Sequence, residues 1–511
     1  MISRIPVRRR VWVFLFVCYA LGLWGLSVPL TGDQKTYLTI ALEMKERGEW
    51  IIPTLFGEPN FLKPPLQYWA TRIGWSVFGF GLWGALLPSV LALIGTADVV
   101  DRISKKEGAL AGILFAGTLA SMTYGTTAQM EIWVVLFYCW AWHLWWEGRT
   151  LAAFAMIGMM SWIKGPLYPV LWVLSIVFEA FMKNNLRTLL ASRRFWGALC
   201  GGVFIGLSWY FLAARTHYRE MMDMFFLREN LGKVSTSHGT PLGLWGEFVG
   251  TLFPILIAWL AVLTTPEFKV AWKEQRLRWL SYMTVPAVFF TLFPYRVNTY
   301  LYLLTPVVVW MLVSAGSGLH RRARIAGWFA TGFGAALLFF VLRMFTGGWI
   351  GWGLALGFAA LIPCWALAHF RGTLYGVALT SVAMVSLIRV AAVGVGEGDL
   401  AGLRQAIELW PDSKFAYVMP REDIWHEVGM ISAATGIGIE VLRSDADAER
   451  HVRSGGALIL DENSPPPAPA FRCLDWVRLR KRIKFPIREF LLRGLPVSDP
   501  SLHRVFKVCR S

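Results

Sequence analysis

Apolar stretches separated by short polar, basic or proline-containing links recur through the first 396 positions of this 511-residue chain. As a helix, such a stretch of about 20 residues crosses ~30 Å of hydrocarbon. The pattern predicts spans over 11–30, 80–100, 108–126, 131–147, 150–163, 165–182, 195–214, 246–264, 278–294, 299–317, 324–343, 350–369 and 373–396, thirteen in all. Leu26-Ser27-Val28 is no small-x-small cleavage site, and further spans follow, so the first reads as a retained span. With the N-terminus inside, an odd count places everything after residue 396 outside.

Two segments break the apolar rhythm on the outward side. Over 31–79, a helix opens at Asp33, sets Tyr37, Ile40, Ala41 and Met44 on one face, and ends at Gly48. An amphipathic helix beside a span is expected to lie in the interface plane. Lys63-Pro64-Pro65 then makes a corner before Tyr68 and Trp69. The second segment, 215–245, reads as an outward loop containing Glu229, Asn230, Lys233 and His238-Gly239-Thr240-Pro241. After Gly394 the pattern changes: residues 397–511 carry 17 Lys+Arg and 16 Asp+Glu, as a globular unit does. Within it Phe415–Met419 and Ala457–Leu460 read as strands, Trp425–Thr435 as a helix and Ser464–Pro469 as a surface loop. The expected fold is an all-α polytopic membrane protein over 1–396, with interfacial helices in the loop 31–79, followed by a small α/β domain over 397–511. Neither an internal repeat nor a glycine-rich nucleotide motif is visible.

Composition sharpens this picture. At 56% hydrophobic and 16% charged, with mean hydropathy +0.49, the chain has too little charge for a soluble protein of its length. The 27 Trp and 34 Phe suit rings at membrane interfaces. A net charge of +17 would suggest nucleic acid, but position excludes it. Arg8–Arg10, Lys105-Lys106, the 183–194 cluster, Lys269–Arg278 and Arg321–Arg324 fall in alternate loops, the positive-inside pattern, and read as a topology signal plus anionic-lipid contact. Of six cysteines, Cys18, Cys139, Cys200 and Cys364 lie in spans and read as packing residues. Cys473 and Cys509 lie in the outward tail and read equally as a disulfide and as free thiols.

Candidate chemistry collects at the outward ends of the spans. Asp33 reads either as a helix cap or as a general base toward an acceptor hydroxyl. Glu131 is either a favourable charge at a helix start or a second acid in the same cavity. Lys63, Lys164, Lys233 and Arg296 lie where the positive-inside rule would not put cations. Each alone reads as a snorkelling side chain; together they suggest an anion site at lipid-phosphate depth. His217 and His238 show no metal-ligand spacing, so neither metal nor cofactor is expected.

In order, these motifs resemble the polyprenyl-phosphate-sugar glycosyltransferases of the GT-C superfamily, most nearly the lipid A aminoarabinose transferases and their protein O-mannosyltransferase relatives. The likeness runs from about residue 5 to residue 318. It is carried by Asp33-Gln34, Tyr37, Gly48-Glu49-Trp50 with Pro53, Lys63-Pro64-Pro65 with Tyr68-Trp69, Lys164-Gly165-Pro166, Phe225-Phe226 with Glu229-Asn230-Leu231-Gly232-Lys233, His238-Gly239-Thr240-Pro241, and Arg296 with Tyr300. The resemblance implies that Asp33 is the catalytic carboxylate and Glu131 the second acid. It implies that Lys63, Lys164, Lys233 and Arg296 hold the donor phosphate, with Tyr37, Asn230 and Tyr300 lining the site. The implied donor is a sugar on undecaprenyl or a similar polyprenyl phosphate. The implied acceptor is a hydroxyl of lipid A, another glycan or a protein, met at the outer face of the inner membrane. Gln34 departs from the family's acidic pair and Leu62 from an acid before the lysine, which leaves sugar and acceptor open. Two rival readings are an O-antigen-ligase-like transferase and a lipid-linked-sugar flippase. The Asp33 loop directly after the first span opposes the former. The latter calls for discontinuous spans with central charges, and here the charges stand at span ends.

Overall fold

The computed structural model describes residues 11–13, 15–17, 19–20 and 32–315 apart from 106–108 and 253–254. Further along it describes 402–418, 432, 435–442, 445–460, 472–479 and 503–510. The spans expected at 324–343, 350–369 and 373–396, most of the helix at Trp425 and the loop at Ser464 lie outside the described residues.

Residues 32–315 are built from helices, as apolar runs with few β-branched clusters dictate. Leu82–Ser104 and the continuous stretch Arg193–Ser235 are long and apolar enough to cross a membrane. Glu131–Trp146, Thr150–Lys164 and Leu167–Met182 follow one another with minimal links. The link after Lys164 is Gly165 at φ +81°, where a Cβ would also stand 2.7 Å from the Phe225 ring. The Thr150–Lys164 and Arg193–Met221 helices approach through small residues. A Cβ on Gly202 would meet the Phe154 carbonyl at 2.7 Å, and one on Gly158 the Gly202 carbonyl at 2.5 Å. Such spacing lets backbones touch where lipid offers no hydrophobic drive to pack.

Several elements differ from their sequence reading. The span expected at 108–126 is two helices, Leu110–Ala116 and Leu119–Gly125. Thr118 starts the second, its hydroxyl accepting the Ser121 N–H at 3.2 Å. The span at 246–264 is likewise Pro241–Thr251 followed by Leu256–Val262. The loop expected over 215–245 is largely helix. Arg193–Met221 kinks at His217 and runs into a π-helical Met222–Leu231 and then Gly232–Ser235. Proline enters only at Pro241, so nothing before it stops the helix. The first-loop helix is Gly32–Glu46, which puts Asp33 inside its first turn rather than at a cap. Tyr37 through Met44 are buried except Glu43, so this helix is packed into the protein rather than laid flat on a surface. Cys139 is buried as expected, whereas Cys200 is exposed; Cys18 and Cys364 lie outside the described residues.

The first loop continues through a two-stranded hairpin, Thr54–Leu55 against Glu58–Pro59. Its turn residues Phe56 and Gly57 have φ of 56° and 82°, the mirror-turn geometry that suits hairpin twist. Glu43 accepts the N–H groups of both, which ties the hairpin to the first-loop helix. Helix Leu66–Phe78 follows the Lys63-Pro64-Pro65 corner. Beyond residue 402 a five-stranded sheet has the order Ile439–Leu442, Phe415–Val418, Ala457–Leu460, His503–Arg510, Arg472–Leu479. The first three strands are parallel, and the last two pair antiparallel. Cys473 and Cys509 are register partners on adjacent strands and form a disulfide.

Candidate active site

The Lys63 corner is held from below. Phe61, Pro64 and Pro65 are buried, and Phe61 packs on Trp209 and His217 at 6.3 and 5.9 Å. The Trp209 indole donates to the Ile51 carbonyl at 2.8 Å, which fastens the loop to the long helix. The π-helical turn brings Glu229 to this corner. Its carboxylate pairs with Lys63 and also with Lys233, one helical turn further on. Lys63 and Lys233 therefore share one anion. The neighbouring pair is Lys164 with Glu131, at 2.6 Å and with 14% and 11% of their side chains exposed. Lys164 ends one helix and Glu131 begins another, so the link after Lys164 sets this pair.

The electrostatic neighbourhoods join these pieces. Burial pushes the Lys63 ammonium well below the usual lysine range, Lys233 and Lys164 push it further, and Asp33 opposes them. Burial likewise lowers Lys233, with Tyr295, Lys164 and Asp33 as its other charged or polar neighbours. Tyr37 and Tyr68 meet edge to face at 5.9 Å. Burial raises both phenols above the ordinary range, and the Asp33 charge adds to it. Asp33 itself is exposed. Tyr300 packs on Phe290 at 4.7 Å, within the electrostatic reach of Tyr168, Lys164, Tyr295 and Glu131. The Lys233 ammonium lies 5.3 Å over the Tyr295 ring, which stacks on His238 at 5.1 Å.

Ion pairs and mutual electrostatic influence thus bring seven of the nine expected site residues into one charged neighbourhood, called the cleft below: Asp33, Tyr37, Lys63, Glu131, Lys164, Lys233 and Tyr300. Arg296 and Asn230 are placed differently. The Arg296 guanidinium donates to the carbonyls of Thr291, Gly239 and Pro294 at 3.1, 3.3 and 3.3 Å. Its backbone N–H bonds the His238 carbonyl at 2.7 Å, and the His238 N–H bonds Pro294 at 3.1 Å. Arg296 is spent on carbonyls and braces two loops. Asn230 donates to the Phe225 carbonyl at 2.6 Å and knits its own π-helical turn. Gln34 is fully buried and accepts the Ala128 N–H at 2.5 Å, so the missing acid of the pair is a link to the segment before Glu131. The sequence pattern does not single out Glu229, nor Tyr68, Tyr168 and Tyr295, as site residues. The available signal is the i, i+4 spacing of Glu229 and Lys233, which reads as an ordinary surface pair.

Three lysines here face three carboxylates: Asp33, Glu131 and Glu229. Such a cleft can receive a phosphate monoanion if one carboxylate gives way, and an exposed carboxylate beside it can take a proton. Among the described residues, no group of three or more His, Cys, Asp or Glu side chains is placed to hold a metal ion.

Among the described residues the architecture is mostly helical, with two helices long and apolar enough to cross a membrane, and it gathers charge where Lys63, Lys164 and Lys233 meet their carboxylates. Comparison with known proteins bears out the resemblance read from the motifs. The crystal structure of ArnT from Cupriavidus metallidurans in the apo state superposes with TM-score 0.68 at 16% identity, covering 98% of both chains. The same protein bound to undecaprenyl phosphate gives TM-score 0.64, covering 97% of this chain and 98% of that one. In sequence the chain is similar to the undecaprenyl phosphate-alpha-4-amino-4-deoxy-L-arabinose arabinosyl transferases of Serratia proteamaculans and Photorhabdus laumondii. Identities are 23% and 25%, over 54% and 57% of this chain. An uncharacterized protein of Aquifex aeolicus is 23% identical over 56% of this chain. The chain spans 54–63% of the length of the arabinosyl transferases compared with it. No family model matches.

Proposed function

We propose that this protein is an inverting, metal-independent glycosyltransferase that moves a sugar from a polyprenyl phosphate, such as undecaprenyl phosphate, to a hydroxyl of lipid A, another glycan or a protein. The observation that carries this reading is that Lys63 and Lys233 share the Glu229 carboxylate while Lys164, paired with Glu131, and Asp33 lie within their electrostatic reach. The ArnT structure of the same fold binds undecaprenyl phosphate, and the curated relatives are named for that carrier. In the reaction the acceptor oxygen attacks the anomeric carbon as the bond from that carbon to the phosphate oxygen breaks. The hydroxyl proton passes to Asp33, and polyprenyl phosphate leaves against the lysines. One displacement inverts the anomeric centre. Fixed cations at the leaving oxygens stabilise charge that develops only in the transition state. Tyr37 and Tyr300 line the sugar's side of the cleft, Glu131 holds Lys164 in place, and Arg296 and Asn230 keep the Lys233 segment in shape. Glu229 holds Lys63 and Lys233 until the donor phosphate takes its place.

The same reading puts the N-terminus in the cytoplasm and the cleft and the domain of residues 397–511 at the outer face of the inner membrane, with residues 1–396 forming the transferase unit. The experiment is transfer from a lipid-linked sugar by purified Asp33→Asn. Asn keeps the size and the hydrogen-bonding oxygen but is not basic. Turnover should fall by roughly 10²–10⁴-fold with an unchanged melting temperature. Near-wild-type transfer would remove Asp33 as the base.

A further inference from the structure

The end of the bundle remote from the charged cleft carries a second, unassigned basic site. Helix Pro266–Leu292 starts there and finishes beside the cleft, 27 residues or about 40 Å later. Helix Glu131–Trp146 likewise runs from the cleft to this end in 16 residues, about 24 Å. Both helices therefore connect this end with the cleft.

At this remote end a cavity of about 480 Å³ is lined by Leu263, Phe268, Lys269, Trp272, Lys273 and Arg276. The cations at 269, 273 and 276 have i, i+4, i+7 spacing and so share one helical face. All three are exposed and, among the described residues, none has an ion-pair partner. Behind them runs a continuous aromatic layer. Phe268 touches Trp272 and Trp279 at 6.1 and 5.9 Å, Trp279 touches Trp310 at 6.0 Å, and Trp310 touches Trp146 at 5.5 Å. The Arg278 guanidinium lies 5.6 Å over the Trp146 ring. Nearby in the same layer, Glu179 accepts both the Trp145 and Trp146 indole N–H groups, at 2.9 and 3.2 Å. Tryptophan layers mark head-group depth, where an apolar ring body and a polar N–H are both satisfied. Unneutralised cations in a cavity at that depth, with Leu263 and Phe268 on its apolar wall, match a phosphate above acyl chains.

We infer that this cavity binds the head group of an anionic phospholipid, its phosphate held by Lys269, Lys273 and Arg276 and its chains laid along Leu263 and Phe268. Binding there would fix the depth of the Pro266–Leu292 helix, which ends at the cleft. The inference stands apart from the proposed transfer reaction, because it uses none of the cleft residues.

Native mass spectrometry of the full-length protein in detergent tests it, with phosphatidylglycerol, cardiolipin, phosphatidylcholine and inorganic phosphate offered separately. The wild type should retain phosphatidylglycerol and cardiolipin, and not phosphatidylcholine. The triple variant K269S/K273S/R276S should bind the anionic lipids roughly 100-fold more weakly, on the scale of about tenfold or less per surface cation. Arg276→Ser alone should give a smaller loss, which keeps the test independent of how well the triple variant folds. Equal retention of phosphatidylcholine overturns the proposal without any variant. Inorganic phosphate displacing the lipids at equal concentration would make this a free-anion site and overturn it too. So would anionic lipid binding unchanged in both variants.

Discussion

Glu229→Gln isolates the feature that distinguishes this cleft, one carboxylate shared by two lysines. Gln keeps the size and an accepting oxygen, so the helix and its packing should survive. What is lost is the charge that pairs with Lys63 and Lys233. A hydrogen bond to a charged group contributes about 1.5–3 kcal/mol to stability. The lower end applies here, because the three side chains retain 21%, 17% and 25% exposure. A donor phosphate entering the wild type must displace that carboxylate; in the variant it meets two uncompensated ammonium groups. Polyprenyl phosphate should therefore bind roughly tenfold more tightly to the variant, about 1.4 kcal/mol. The gain depends on pH. Lys63 is already held well below the ordinary lysine range by burial and by Lys233 and Lys164, and losing Glu229 lowers it further. Phosphate needs the protonated amine, so the advantage should be full below the folded-state pKa and disappear as pH rises through it. Folding carries the complementary sign. Between the depressed folded value and the unfolded value of about 10.4 the unfolded chain holds the extra proton, so stability rises with pH across that window. In the variant the window opens at lower pH. Calorimetric titration of undecaprenyl phosphate into both proteins from about pH 6 to about pH 9, with melting temperatures alongside, measures each effect. Weaker donor binding by the variant at the acidic end would refute the reasoning and make Glu229 part of the donor's hold.

The other outcomes are more local. Lys63→Ala should weaken donor binding by roughly tenfold or more, and Lys63→Arg should restore only part, since a forked guanidinium does not replace a compact ammonium; kinetics with a lipid-linked donor decide. Lys164→Met should lower the melting temperature markedly by stranding Glu131. Breaking a fully buried pair costs about 3–5 kcal/mol, and less is expected here because both partners keep slight exposure; adding Glu131→Gln should recover most of the stability without recovering transfer. Gly202→Leu should destabilise by about 1–3 kcal/mol or more, because the Phe154 carbonyl stands where its Cβ must go, while a leucine at Gly197, which meets nothing within 4 Å, should be silent in the same thermal assay.

Run length and residue order make much of this protein legible in its sequence. A helix in lipid must satisfy its own backbone and present about 20 apolar residues, so Leu82–Ser104 and the long helix from Arg193, the two stretches among the described residues long and apolar enough to cross, are written as local composition. The Lys63-Pro64-Pro65 corner, the Lys164-Gly165-Pro166 link and the acid at Asp33 are local too, because proline and glycine impose backbone geometry wherever they occur. The strands at Phe415 and Ala457 are visible as short apolar runs between polar links. Other features depend on contacts between distant positions. Lys63 meets Glu229 across 166 residues and Lys164 meets Glu131 across 33, and no periodicity encodes either pairing. Helix rather than loop over Met222–Ser235 puts Glu229 there. The direction of Arg296 is decided by three carbonyls that need a donor, so a cation expected at the phosphate becomes a brace. Cys473 and Cys509, equally readable as paired or free, are settled by strand register, which brings their chain positions face to face. Sequence determines which segments are apolar, where the backbone must turn and which charges are available; only the packed chain decides which of those charges face one another, because burial penalises every charge left without a partner.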